Sequence, residues 1–124
     1  EVPNRYLAGI TEVALKNHFV DKTNWRKMLQ NDVLDLDMLT EKARVFEFLP
    51  EEVKQYFNAD LDEHFVMNYP VLHYPKKVTG LNLDKTPNFA GKLVGIKGQY
   101  LIFEDGTVFN VRSFEGYVVG MNII

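Results

Sequence analysis

Apolar residues recur every three to four positions through the first half of the chain, which is the spacing of amphipathic helices. Near the N-terminus the apolar stripe runs from Ile10 to Phe19. Because Gly9 weakens the preceding turn, we predict that this helix begins at Ile10 or Thr11. Pro50 is expected to end the third helix and to open the fourth. The pattern predicts four helices, over about residues 10–19, 21–32, 35–49 and 51–57.

The second predicted helix carries the only tryptophan of the chain. Asp21 or Thr23 is expected to cap its N-terminus, since both residue types accept hydrogen bonds from free helix amides. Trp25, Met28 and Leu29 fall on one face at helical spacing. We therefore predict that Trp25 is largely buried.

From residue 70 onward the apolar period changes to two, and β-branched and aromatic residues are separated by Gly and Pro. Asp105-Gly106 is a strong hairpin signal, and Gly98 marks a second tight turn. We predict that residues 92–119 form at least three consecutive antiparallel strands with no helix among them. Such a small sheet shields its edges most simply by closing into an SH3-like or OB-like barrel. The predicted strands are VLHY, KVTGLNL, GKLVGIK, QYLIFE, TVFNVR and GYVVGMNI.

The helices followed by strands predict the α+β class, and length and composition are typical of a small globular protein. The chain has 124 residues, 46% hydrophobic and 25% charged, which excludes collagen, coiled-coil and disordered compositions. Its apolar runs are too short to span a membrane. The absence of cysteine excludes a disulfide scaffold and a thiolate zinc site, and it fits a cytoplasmic protein. We expect a helical segment at residues 1–62 and, at residues 70–124, either an antiparallel meander or a small barrel.

The net charge of −3 conceals three blocks of different sign. Residues 1–31 and 64–124 each carry a net charge of +2, whereas residues 32–63 carry −7. The acidic block is interpreted as a solvated helix face, or as a partner surface if the protein is a structural or protein-interaction domain. The basic flanks are compatible with a surface that binds nucleic acid.

Most familiar catalytic and metal-binding patterns are missing from the sequence. The three histidines lie in different predicted elements and lack metal-ligand spacing. A calcium-like run at residues 58–63 has Glu63 where the loop requires Gly. Ser113 is the only serine, which argues against a serine hydrolase. Glu12 lies at the border of the first apolar stripe, where it either pairs with Lys16 at i, i+4 or binds a metal ion.

Basic and aromatic side chains from the two basic blocks are candidates for a nucleic-acid surface. Lys92 and Lys97 lie in one predicted strand, and Tyr100 and Arg112 occupy neighbouring strands. This combination suits base stacking together with phosphate contact. In the alternative interpretation Tyr100 is a core residue and the lysines protect sheet edges. We expect the cations of the β half to be exposed. The candidate nucleic-acid-binding residues are Arg26, Lys27, Lys76, Lys77, Lys92, Lys97, Tyr100 and Arg112.

Two segments of the chain resemble a bacterial family of unknown function. Residues 74–119, in which GIKGQYLIFEDG is the most specific stretch, resemble the C-terminal end of these proteins, and residues 12–29 resemble the part before it. Longer members of that family resemble GIY-YIG nucleases in their middle, after a Cys-containing N-terminal segment. In GIY-YIG folds a helix glutamate binds the divalent metal. The resemblance implies that Glu12, in the pattern E-x-x-L-K, is this residue.

The sequence favours a binding function over catalysis for this chain by itself. It begins in mid-pattern at Glu1, and we expect it to be a fragment whose residues 1–62 end a GIY-YIG-like domain. The favoured function is a DNA- or RNA-binding module of a bacterial cytoplasmic protein. One alternative is nuclease activity of the intact protein, with Glu12 as the catalytic residue that holds Mg²⁺. The other is a structural or protein-interaction domain. The chain alone is expected to require no cofactor.

Overall fold

The computed structural model describes residues 1–20 and 22–124, which form two compact units. Unit 1 comprises Glu1–Asn24 and Leu34–Val66, and unit 2 comprises Trp25–Val33 and Met67–Ile124. Helices precede a small sheet along the chain, so the predicted α+β class is confirmed. The helices are α1 (Arg5–Lys16), α2 (Trp25–Leu29), α3 (Met38–Glu47) and α4 (Glu51–Lys54). The strands are β1 (Thr79–Gly80), β2 (Leu93–Lys97), β3 (Tyr100–Phe103) and β4 (Thr107–Asn110).

Helix α1 begins at Arg5, well before the predicted start at Ile10 or Thr11. The cause is Asn4, whose side-chain oxygen accepts a hydrogen bond from the backbone N–H of Leu7 at 3.0 Å. This cap satisfies one of the free amides of the first turn and offsets the conformational cost of Gly9 inside the helix. The predicted start was therefore wrong.

Unit 1 has a small hydrophobic core to which α1 and α4 both contribute. Its buried side chains are Leu7, Leu49 and Val53. Half-buried apolar side chains pack around them, while α3 itself has no buried residue. Among the described helices of the chain, none is long and apolar enough to cross a membrane.

Helix α3 begins at Met38 rather than near Asp35, because Asp37 caps its first turn. The Asp37 carboxylate accepts hydrogen bonds from the Thr40 hydroxyl at 2.7 Å and from the Leu39 N–H at 3.1 Å. These bonds, that of Thr40 above all, lower the pKa of Asp37 from its ordinary value.

Unit 2 is built on an open, mixed four-stranded sheet in the order β1-β4-β3-β2. Strands β2, β3 and β4 pair antiparallel, with Tyr100 opposite Lys97 on one side and Asn110 on the other. Strand β1 pairs parallel with β4. The predicted antiparallel meander is confirmed for β2 to β4. Of the two predicted alternatives, a small sheet or a barrel, the structure has the sheet, which does not close.

Three stretches that were predicted as strands have other structures. Residues 111–114 form a 3₁₀ helix, η1 (Val111–Phe114), so the prediction that no helix interrupts residues 92–119 was wrong. The side chain of Asn110 caps η1 by accepting a hydrogen bond from the Arg112 N–H at 3.1 Å. Val71 forms only an isolated bridge to Gly95, and residues 116–123, all of them described, contain no strand.

Two glycines with positive φ form the tight turns of the meander. Gly98, with φ +58°, lies between β2 and β3, and Gly106, with φ +84°, lies between β3 and β4. The predicted Asp105-Gly106 hairpin is thus confirmed. The Gly106 N–H donates to the Phe103 carbonyl, and the Gly106 carbonyl accepts from the Thr79 N–H, both at 3.0 Å. One residue therefore joins the hairpin to β1.

Helix α2 packs on the sheet through Leu29, whose side chain is completely buried. Trp25, at the opposite end of the helix, is half-buried and packs against the rim of the same cluster. Trp25 thus packs against this core together with Met28, on the helix face that carries Leu29, as predicted. Asp21, one of the two predicted caps of α2, lies outside the described residues. Leu29 shares the core of unit 2 with Val78, Val94, Ile102 and Val108.

Candidate nucleic-acid interface

Two side-chain hydrogen bonds fix α2 on the sheet of unit 2. The Gln30 side-chain amide donates to the Lys76 carbonyl at 2.5 Å, and the Lys97 ammonium donates to the Met28 carbonyl at 3.0 Å. Together with the buried Leu29, they hold the short helix in one orientation. A segment of the N-terminal basic block thereby joins the basic residues of the β half in one unit.

Trp25 contacts both Tyr100 and Arg26, and we call these three side chains the aromatic column. The rings of Trp25 and Tyr100 are nearly parallel, with an interplanar angle of 6° and centroids 6.0 Å apart. The guanidinium carbon of Arg26 lies 4.3 Å from the centroid of the Trp25 ring. This is the geometry of an offset aromatic pair extended by a cation–π contact.

Strand β3 and a polar neighbour hold Tyr100 in place within the aromatic column. Its ring is half-buried and packs against the core of unit 2. Its hydroxyl accepts a long hydrogen bond of 3.5 Å from the side-chain amide of Asn110 on β4. The ring therefore contributes to the core, as the alternative interpretation expected, and also retains accessible surface. Arg112 follows two residues after Asn110 and is exposed.

Lys97 was predicted to be an exposed phosphate contact, and the structure shows that it is buried. Only 7% of its surface is exposed. Its ammonium donates to the Met28 carbonyl and lies 5.1 Å from the ring centroid of Tyr69 and 4.9 Å from that of Tyr74. The backbone carbonyl and the two ring faces replace the water that an exposed lysine would bind. Lys97 thus joins β2, α2 and the segment before β1.

The other predicted cations of unit 2 are exposed but differ in their neighbours. Lys92 forms an ion pair of 3.0 Å with Glu104, and Lys27 lies 4.0 Å from Asp32. The charges of these two lysines are thereby partly balanced. The remaining exposed candidates are Arg26, Lys76, Lys77 and Arg112.

Comparison with known proteins identifies the family. Residues 1–119 match the family described as Protein of unknown function (DUF2797). The chain belongs to the DUF2797 family. The predicted membership of a family of unknown function is thus confirmed, and the matched region contains the whole aromatic column. No curated protein and no solved structure matches the chain significantly.

Glu12 of this DUF2797 chain is exposed on α1. Within residues 1–20 and 22–124, no group of three or more His, Cys, Asp or Glu side chains could hold a metal ion. The role of Glu12 as a metal ligand remains a prediction.

Trp25 is the member of the DUF2797 site that sequence reasoning did not include. Its position beside Met28 and Leu29 on one helix face indicated only a core role. The available signal was Arg26, which directly follows Trp25. The guanidinium of an arginine next to a partly exposed tryptophan can lie over the indole ring. The stacking partner, Tyr100, lies in a different predicted element, and no local pattern connects the two.

Proposed function

We propose that unit 2 is a nucleic-acid-binding module. This proposal rests on the separation of charge between the two units. Unit 2 carries eight basic and five acidic side chains, whereas unit 1 carries six basic and twelve acidic side chains. The overall charge of −3 therefore combines +3 on unit 2 with −6 on unit 1. A net positive unit attracts the phosphate backbone of DNA or RNA.

The aromatic column supports the same proposal, because it places stacking surfaces among the cations. Proteins that bind single strands combine basic side chains for the phosphates with aromatic rings for the bases. Trp25 and Tyr100 are both half-buried, and Arg26 is exposed beside them. The Lys76 carbonyl accepts a hydrogen bond from Gln30, the residue directly after α2, so the Lys76 side chain starts close to the helix that carries Arg26. Unit 2 therefore contains candidate residues both for contacts to phosphates and for contacts to bases.

Replacing Lys76 and Lys77 together with alanine should weaken binding to every sequence and make its salt dependence shallower. Each lost phosphate contact should reduce the slope of log affinity against log salt by about 0.7 for a single strand. The Lys76 hydrogen bond to Gln30 uses the backbone carbonyl, so both substitutions leave the fold intact. Titration of labelled single-stranded DNA and RNA at several salt concentrations measures the slope.

The matched control replaces Lys16 and Lys22 of unit 1, which are also exposed, with alanine. This control changes the net charge by the same amount as the double variant of Lys76 and Lys77. If binding depends on local contacts in unit 2, the salt slope of the control should equal that of the unaltered chain. If the two double variants weaken binding equally, only overall charge matters and unit 2 is not the binding module. No binding by the unaltered chain at low salt would instead favour a structural or protein-interaction domain, with residues 32–63 as the acidic partner surface.

A magnesium-dependent, GIY-YIG-like nuclease activity of the intact protein is our second candidate function. It is supported by the resemblance at Glu12 and by the accessibility of that carboxylate on α1. We expect Mg²⁺-dependent cleavage of a labelled strand to disappear in Glu12→Gln and to persist in Glu47→Gln, which replaces an exposed glutamate of α3. Cleavage that survives Glu12→Gln would contradict this assignment. We place either function in a bacterial cytoplasm, as the resemblance implies.

A further inference from the structure

The members of the aromatic column in unit 2 differ in exposure. The Tyr100 and Trp25 rings are half-buried and pack against the core. Arg26 lies over the face of Trp25 and is itself exposed. A guanidinium is planar and less strongly hydrated than an ammonium group, so an aromatic ring can stack on its outer side. The exposed guanidinium of Arg26 therefore offers a planar group on which a further ring can stack.

We propose that an unpaired nucleobase stacks on the guanidinium of Arg26, so that unit 2 selects single-stranded over duplex nucleic acid. This inference rests on the proposed nucleic-acid binding and specifies its ligand. The base would stack on the guanidinium that already contacts the face of Trp25. In a duplex each base face is already covered by its neighbours, so only an unpaired nucleotide or a strand end can offer one. The adjacent phosphates would then meet the cations beside α2.

The same side chain could instead act only as a positive charge near a phosphate, and the two roles predict different results. A lysine at position 26 retains the charge but lacks the planar group that stacks. Loss of stacking weakens binding to a strand with bases and leaves binding to the phosphate backbone unchanged. Loss of a phosphate contact would weaken both equally and would alter the salt slope.

The test compares Arg26→Lys with the unaltered chain on three probes of equal length: a labelled oligothymidine, an abasic strand with the same backbone, and a duplex. We expect Arg26→Lys to weaken oligothymidine binding about 10-fold, with an unchanged salt slope. Binding to the abasic strand and to the duplex should stay the same. Arg5→Lys is the matched control, because Arg5 is an exposed arginine of unit 1 and is not among the candidate binding residues. It should leave all three affinities unchanged.

Failure of this inference can be distinguished from failure of the proposed function. Two outcomes would show that the stacking role is wrong while nucleic-acid binding stands. In the first, Arg26→Lys weakens binding to the abasic strand and to the base-containing strand equally. In the second, it weakens binding to neither strand, although the double variant of Lys76 and Lys77 still binds more weakly. If the unaltered chain binds none of the probes at low salt, both are wrong. A uridine strand serves as the RNA probe and should respond as oligothymidine does. An effect confined to RNA would indicate a contact to the 2′-hydroxyl and would overturn stacking.

Discussion

Replacing Gly106 with alanine is expected to lower the free energy of unfolding of unit 2 by about 3 kcal/mol. Two costs add at this position. Gly106 has a φ of +84°, where an L side chain is strained, and a Cβ there would collide with the backbone carbonyl oxygen of Lys77. A backbone carbonyl cannot rotate away as a side chain can. The hairpin must therefore shift and weaken the hydrogen bond from the Thr79 N–H to the Gly106 carbonyl.

Gly98→Ala is the matched control for this prediction. Gly98 also has a positive φ, +58°, but no heavy atom lies within 4 Å of an added Cβ. Its replacement should cost only the conformational strain, about 1 kcal/mol. Urea unfolding can be followed by the fluorescence of Trp25, the only tryptophan of the chain, which lies in unit 2. Equal losses in the two variants would show that the collision with Lys77 contributes nothing.

The strands of the meander could be predicted because their signals are local. Alternation of apolar residues indicates each strand, and Asp105-Gly106 specifies the turn between β3 and β4. Strand β1 could not be predicted in the same way, because its parallel pairing of Thr79 with Thr107 depends on packing between distant segments. The choice between the two predicted alternatives, an open sheet or a barrel, depended on distant segments for a related reason. The bridge between Val71 and Gly95 already covers part of the β2 edge, so the sheet does not need to close there.

The start of α1 shows how one capping residue outweighs an unfavourable one. Gly9 was interpreted as a boundary because glycine costs about 1 kcal/mol inside a helix. The cap supplied by Asn4 contributes a similar amount, and the turn between them adds further backbone hydrogen bonds. The residue type at position 4 was an available signal. Whether the cap of Asn4 outweighs the cost of Gly9 could be decided only from the structure of the helix.

The environment of Lys97 could not be predicted from alternation along β2. The pairing of β2 with β3 shifts register between Leu93 and Gly95, which is the effect of a bulge. As a result Val94 and Lys97 are both buried, although a spacing of three places residues of a regular strand on opposite faces. The aromatic residues around the ammonium, Tyr69 and Tyr74, come from a segment without regular structure. Packing between segments that are distant in sequence therefore removes Lys97 from the candidate site and adds Trp25 to it.

Lys97→Ala is expected to destabilise unit 2 by about 2–4 kcal/mol. The substitution removes the charged hydrogen bond to the Met28 carbonyl and the contacts of the ammonium with the faces of Tyr69 and Tyr74. It also removes a buried aliphatic stem, since only 7% of the Lys97 surface is exposed. Urea unfolding monitored by Trp25 fluorescence measures the loss. Lys97→Met, which keeps the apolar stem, should lose less than Lys97→Ala and thereby separate the packing from the ammonium.

Lys92→Ala is the control for position 97, because it removes a lysine of the same strand region that pairs with Glu104 on the surface. An exposed ion pair of this kind contributes less than about 1 kcal/mol, so the unfolding midpoint should barely change. Under conditions where Lys97→Ala is still folded, its salt slope for binding single-stranded DNA should equal that of the unaltered chain, because a buried ammonium releases no counterion from a phosphate. A normal midpoint together with a shallower slope would show that Lys97 contacts phosphate after all, and that the buried arrangement is not the one that binds.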